Sequence, residues 1–416
     1  MKMKNLLILF FVFLCAGLCT VRCAWAQNKV VRIEFSPQVE DYSDTMINAL
    51  DELYQNGGGT LEIAYGIYPL KKTVYFDRRD KEVALTIRGQ KNAAGERPVF
   101  YCDAEPGKTH RMFTFITGWT ELYTMTFQSI EIQGNNVPVD RSTANLTGHI
   151  GNLQEGQSYG HPFLYHAGQD GDAIRASNLR SVHVDDVVIR EIYGNGIFIA
   201  NTGSKPNEFS ESPSVTNTRI INTWQWQDGF MTGDGILFWA AKNPLVENCV
   251  IYNDISYTRW IGRIGVVLEH NTENAVIKNN IIGGYNSNIH IEVTYGGHQV
   301  LDNKLLAAVT GVTLNEPEPD KAAPDYAEYM AKVKPNIIKG NYMEYNLERI
   351  RYNVEGYGGR RAFIDTSGNS GPKLRGLQIV DNEMVFNDGQ PPRPKTERYI
   401  PEIEIEGLVE ENNFYH

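Results

Sequence analysis

The sequence predicts an all-β solenoid: a single-stranded parallel β-helix carrying an α-helical cap at its N-terminal end. Three observations predict it. A mark ending in Asn or Asp recurs at a constant step of 31, at Asp186, Asn217, Asn248 and Asn279. The residues around each mark alternate apolar and polar at period two, the period of strands. A segment with one apolar helical face precedes a run of three glycines near the start of the chain.

Residues 1–26 read as a secretory leader. Lys2 and Lys4 precede the apolar run Leu6 to Leu14, and Ala24-Trp25-Ala26 follows as a small-x-small cleavage site. The apolar run is too short to span a bilayer, and Leu14, Leu18 and Arg22 before the three leader cysteines exclude a lipoprotein signal. The expectation is a secreted or periplasmic protein with no membrane insertion. Residues 27–416 then form one domain, since repeat architectures exceed the usual domain length. Two cysteines remain, Cys102 and Cys249, each in an apolar strand-like context that predicts buried free thiols.

The cap falls within residues 40–76. Asp44 to Gln55 sets Ile47, Leu50, Leu53 and Tyr54 on one helical face, and Gly57-Gly58-Gly59-Thr60-Leu61 follows. A helix there would close an open sheet end, which otherwise invites aggregation. The recurring marks run on from Val184-Asp185-Asp186 through Leu301-Asp302-Asn303, Ile338 to Asn341 and Val380-Asp381-Asn382 to Val409 to Asn412. A fixed step of this size describes units that bury their apolar faces only against their neighbours. Asn suits such corners because it tolerates left-handed backbone and its amides stack in hydrogen-bonded ladders.

A second strand set completes each coil. It comprises Asp172 to Ser177, Asn195 to Ala200, Asp234 to Trp239, Ile264 to Glu269, Ser287 to Glu292 and Thr310 to Asn315. With the helix, the glycine run and these coils together, the sequence resembles the pectin-lyase-like superfamily of right-handed β-helices over most of the chain. The resemblance implies a right-handed parallel β-helix and a substrate groove lined by the second strand set. It does not choose among the lyases, hydrolases, epimerases and phage adhesins that share the fold.

Alternation then gives the outward residues of the groove wall. One row runs Arg175, Phe198, Leu237, Val267, His290, Thr313 and Arg351; the other runs Ser177, Ala200, Trp239, Glu269, Glu292, Asn315 and Asn353. Glu269 and Glu292 share a column on successive coils, so their backbones should lie about 4.8 Å apart. Two carboxylates that close repel, and one should keep its proton near neutrality. A protonated acid beside an ionised partner suits glycosidic cleavage, with a spacing that fits retention of configuration. A solvated pair or a calcium site is the alternative. His290, between them, would orient one glutamate or act as a base.

Aromatic and basic residues gather in the loops leading into these strands, among them Trp224, Trp226, Tyr257, Arg259, Trp260 and Arg263. Aromatic faces hold sugar rings and Arg forks onto carboxylate or sulfate. The substrate-binding candidates are therefore Trp239, Trp260, Arg263, Asp234, Asn315 and Arg351, with Trp224 and Trp226 expected to pack. Thr232-Gly233-Asp234-Gly235-Ile236 resembles the first catalytic motif of polygalacturonases. The chain departs from that family at Arg263-Ile264 and Ser287-Asn288-Ile289, and it lacks the Asp-Pro-His-Glu signature of mannuronan epimerases. Asp before Gly is more commonly a turn residue. His149, His161 and His166 have no recognised metal-ligand spacing. Asp325 to Lys332 can form a short helix beside the groove.

Net charge is −11, and −14 once Lys2, Lys4 and Arg22 leave with the leader, which argues against nucleic acid as a partner. A polysaccharide or oligosaccharide remains the expected partner. Three readings follow: a glycoside hydrolase using the paired glutamates with no cofactor, a polysaccharide lyase using Ca2+ and an arginine base, and a non-catalytic glycan-binding protein.

Overall fold

A computed structural model describes residues 29–78, 80–104, 109–117, 124–135, 171–201, 209–223, 225–227, 230–254, 262–306, 310–316, 322, 326–345, 362–366, 372–386, 399–400 and 405–416. The predicted leader, Trp260, Arg351 and the three histidines of the 136–170 segment lie outside these residues, and the side chains of residues 224–232 are likewise not described. Among the described residues no helix is long and apolar enough to cross a membrane.

Three long parallel sheets of 12, 11 and 10 strands run the length of the molecule, each strand pairing with its counterpart one coil on. This is the right-handed parallel β-helix that the sequence predicts. The second strand set forms the ten-stranded sheet. Its inward columns, Ile174-Ile197-Ile236-Val266-Ile289-Val312 and Ala176-Ile199-Phe238-Leu268-Ile291-Leu314, are in register and fully buried. Each such aliphatic side chain contributes about 1.5–3 kcal/mol through burial, and none can do so without the coils on either side. The first coils fill the same interior with rings instead: Phe113 meets Phe100 and Phe127 edge-on, at 5.4 and 5.8 Å between centroids. Cys102 and Cys249 are buried free thiols.

Helix α1 spans Ser43–Gln55 and buries Met46, Ala49, Leu50, Leu53 and Tyr54. Ile47, expected on the buried face, is only half-buried. A strand the sequence reading did not anticipate, Lys29–Ile33, precedes α1 and pairs with Gly59–Ile63, so the helix packs over two coils at once. The glycine run makes this possible. Gly58 and Gly59 take φ of 108° and 143°, and a Cβ on Gly59 would lie 2.2 Å from the Lys29 carbonyl oxygen.

The corner asparagines divide into two columns, where one had been expected to do both jobs. Asp186, Asn217, Asn248, Asn279, Asp302, Gly340, Asp381 and Asn412 have left-handed backbone. The ladder runs through the next residue. The Nδ2 of Asn280 donates to Asn303 Oδ1 at 2.9 Å, and Asn303, Asn341 and Asn382 each donate onward to the next Oδ1 at 3.0 Å, ending at Asn413. The split is geometric. The left-handed residue turns the chain outward, so the residue after it points in and must satisfy its own amide.

Helix α2, Tyr326–Lys332, forms where the sequence predicts a short helix. Tyr329 donates its hydroxyl to the Thr294 carbonyl at 2.9 Å, two residues beyond Glu292.

Candidate active site

The outward face of the ten-stranded sheet carries the candidate residues in three columns, one more than alternation predicts. The two predicted rows are there: Arg175, Phe198, Leu237, Val267, His290 and Thr313 in one, Ser177, Ala200, Trp239, Glu269, Glu292 and Asn315 in the other. The residue two positions before the first inward column also reaches this face. Asp172 pairs with Arg175 at 3.1 Å, Ile264 packs with Leu237 and Val267, and Ser287 Oγ meets Thr313 Oγ1 at 2.9 Å. Hydrogen bonds link this third column. Asn195 donates N and Nδ2 to Asp172 Oδ1, and its own Oδ1 accepts the Asp234 N–H at 2.8 Å.

Asp234 is therefore not an exposed turn. It is 0% exposed, and its Oδ2 accepts from Arg263 Nη1 at 2.8 Å. Its Oδ1 is buried with no hydrogen-bond partner among the described residues. Burial drives the Asp234 carboxyl above its ordinary value, with Arg263 pulling it back. The second nitrogen of Arg263, Nη2, lies 3.9 Å from Glu269 Oε1, so one guanidinium faces two acids. Leu237, Ile264 and Val267, with Phe198 and Trp239 packed against them, form an apolar floor beside these groups. A low-polarity floor weakens solvation of every charge set on it.

Glu269 and Glu292 are direct partners in the parallel register and share the outward face. Their environments differ. Glu269 is 7% exposed, and burial, ahead of the Asp234 and Glu292 charges, raises it above the ordinary glutamate range against the pull of Arg263. The expected split in protonation is present, but mutual repulsion is a lesser cause than desolvation. Glu292 is held below the ordinary range, first by His290 and against a burial penalty. His290 Nε2 lies 3.4 Å from Glu292 Oε2 without the geometry of a good hydrogen bond, so it acts on Glu292 through charge pairing. Asn315 donates Nδ2 to the other Glu292 oxygen at 2.7 Å. One acid favours its proton and its neighbour favours the ionised form.

The fold thus gathers Asp234, Arg263, Glu269, His290, Glu292 and Asn315, with Trp239 adjoining Glu269 in register. One neighbour escaped the sequence reading. His270 stacks flat on Trp239, with centroids 3.7 Å apart and planes 12° from parallel, and burial lowers its pKa against the pull of Glu292. It follows Glu269 at φ 46°, where strand alternation has ended, so a period-two reading passes over it. Arg175, which lies over the Phe198 ring at 4.3 Å, stood in the predicted outward row, but its pairing with Asp172 was not foreseen. Among the described residues no group of three or more His, Cys, Asp or Glu is arranged to hold a metal ion.

No protein-family model matches the chain, and no curated protein matches it either. Solved structures do. A tailspike protein of E. coli bacteriophage HK620 is 14% identical with a TM-score of 0.53, over 85% of this chain and 54% of its own. The chain thus spans about half the length of that tailspike. DFA-IIIase from Arthrobacter chlorophenolicus A6, solved in complex with DFA-III, is 12% identical with a TM-score of 0.51, over 92% of this chain and 82% of its own. At these identities the likeness is one of fold, and it agrees with the strand order and register of the three sheets: the chain has a right-handed parallel β-helix fold.

Proposed function

We propose that the chain is a carbohydrate-acting enzyme that hydrolyses glycosidic bonds of a polysaccharide or oligosaccharide lying on the ten-stranded sheet. The observation that carries the reading is the register pairing of two glutamates on one wall, in surroundings that push one carboxyl up and hold the other down. Glu269 gives its proton to the leaving-group oxygen as the C–O bond breaks. Glu292, ionised, supplies the opposing carboxylate, either to the anomeric carbon or to an attacking water. Asn315 fixes one Glu292 oxygen, His290 lies against the other, and Trp239 offers an apolar ring face next to Glu269. Support of a general kind comes from DFA-IIIase, a structural neighbour that binds DFA-III in its solved complex. The leader signals in residues 1–26 accord with action outside the cytoplasm.

The test is a screen of purified protein against neutral, uronic and sulfated glycans, with and without a chelator, followed by Glu269→Gln and Glu292→Gln. Hydrolysis products and loss of turnover by about 10²–10⁴-fold in each variant are expected. Unsaturated uronate products that require Ca2+ would select the lyase instead. Wild-type turnover in both variants would remove the paired glutamates from the chemistry, and glycan binding with no turnover by the wild type would leave a binding protein without catalysis.

A further inference from the structure

We propose that Asp234 and Arg263 act as a positioning pair in which Asp234 keeps the guanidinium from closing on Glu269, so that Glu269 stays free to carry its proton. The inference deepens the hydrolase reading and rests on Glu269 being its acid. The geometry is unequal. Arg263 Nη1 sits at hydrogen-bond distance from Asp234 Oδ2, 2.8 Å, whereas Nη2 stops at 3.9 Å from Glu269 Oε1. Asp234 is wholly buried, and a charge there is tolerable only with a partner, so it holds the arginine more strongly than the more accessible Glu269 does. Asp234 is itself fixed by its backbone N–H on Asn195 Oδ1, in the ladder that also holds Asp172. An arginine released from this grip would need to move only about 1 Å to form a full ion pair with Glu269, which would strip the acid of its proton.

Among the described residues the other charges facing these groups are few. Glu269 faces Arg263 from its own strand, Asp234 from the preceding coil, and Glu292 and His290 from the following one. Asp234 faces Arg263, His290 and, along its column, Asp172. Removing Asp234 or Arg263 therefore perturbs Glu269 in opposite senses, which a merely structural role for the pair would not do.

The decisive measurement is the carboxyl titration of Glu269 by ¹³C NMR in the full-length protein, with its resonance assigned by its disappearance in Glu269→Gln. Asp234→Asn should lower the Glu269 midpoint by about one pH unit and Arg263→Gln should raise it by a similar amount. Arg263→Lys, which keeps the charge, should stay close to wild type. If Arg263→Gln does not fold because Asp234 is left buried and unpaired, Asp234→Asn/Arg263→Gln removes both charges, and Glu269 should then titrate above its Asp234→Asn midpoint. Midpoints that do not move, or that move the same way in both single variants, would overturn the pair. Opposed shifts in a protein that hydrolyses no glycan would keep the pair and sink the hydrolase reading. Unmoved midpoints with turnover still dependent on Glu269 would do the reverse.

Discussion

The asparagine ladder from Asn280 to Asn413 and the acid cluster around Asp234 are both buried polar arrays built by stacking one coil on the next. In the ladder every coil contributes the same side chain, and each amide donates to and accepts from its neighbours at 2.9–3.0 Å. In the cluster successive coils contribute different groups, and the result is two raised carboxyls, one lowered one and a buried oxygen with no hydrogen bond among the described residues. Repetition satisfies polar groups. Breaking the repetition leaves their titration shifted, because unlike neighbours in a poorly solvated site shift each other's protonation.

The largest effect that would sharpen this contrast is catalytic. Glu269→Gln and Glu292→Gln should cost turnover by orders of magnitude while thermal midpoints stay within a few degrees of wild type. An equally large loss of stability would mean that the acids hold the fold together as the ladder does. The converse substitution belongs to the ladder. Asn341→Leu removes the acceptor of Asn303 and the donor to Asn382 and should destabilise the protein by about 3 kcal/mol in urea melts. Turnover of the folded fraction should not change.

A pH series divides the arrays next. The unfolded chain releases the Glu269 proton near its ordinary value of 4.5, whereas the folded protein holds it to higher pH. The stability tied to that proton is full below 4.5 and is lost as pH rises through the folded value. Glu269→Gln should therefore match wild type at acid pH and exceed it increasingly toward neutral pH, as read from urea midpoints. Parallel curves would contradict the raised carboxyl. The smallest effect concerns the corner column. Asn248, at φ 56°, should cost about 1 kcal/mol when changed to Ala and much less when changed to Gly.

Much of this was legible in the sequence because a solenoid writes its register directly into residue spacing. The marks at Asp186, Asn217, Asn248 and Asn279 and the alternation from Ile264 to Glu269 place Glu269 beside Glu292 without knowledge of any loop. What escaped lies where alternation stops. Asp234 and Arg263 were both substrate-binding candidates, but the pairing of the buried Asp234 carboxyl with Arg263 depends on the chain path between them and was not foreseen. His270 sits one residue beyond its strand in left-handed backbone, so its stack on Trp239 depends on a turn that no periodic pattern encodes. The cause of the Glu269 shift was misjudged for a related reason. Pair repulsion can be read from spacing, but desolvation depends on what covers the side chain.

Glu269, Glu292 and Asn315 are spaced 23 positions apart, whereas Trp239 precedes Glu269 by 30 and Ala200 precedes Trp239 by 39. The proposed reacting coils are thus trimmed close to the circumference of the barrel, and the surplus chain is carried by coils on both sides of them, the step from Thr313 to its partner Asp365 being 52 positions. Insertions in those longer coils can lengthen or reshape the surroundings while leaving every strand in place. An extra residue inside a 23-residue coil would have to bulge or slip a strand. Such a molecule can change which ligand it admits by editing its periphery, generation after generation, without reopening the question of how its reactive groups are aligned.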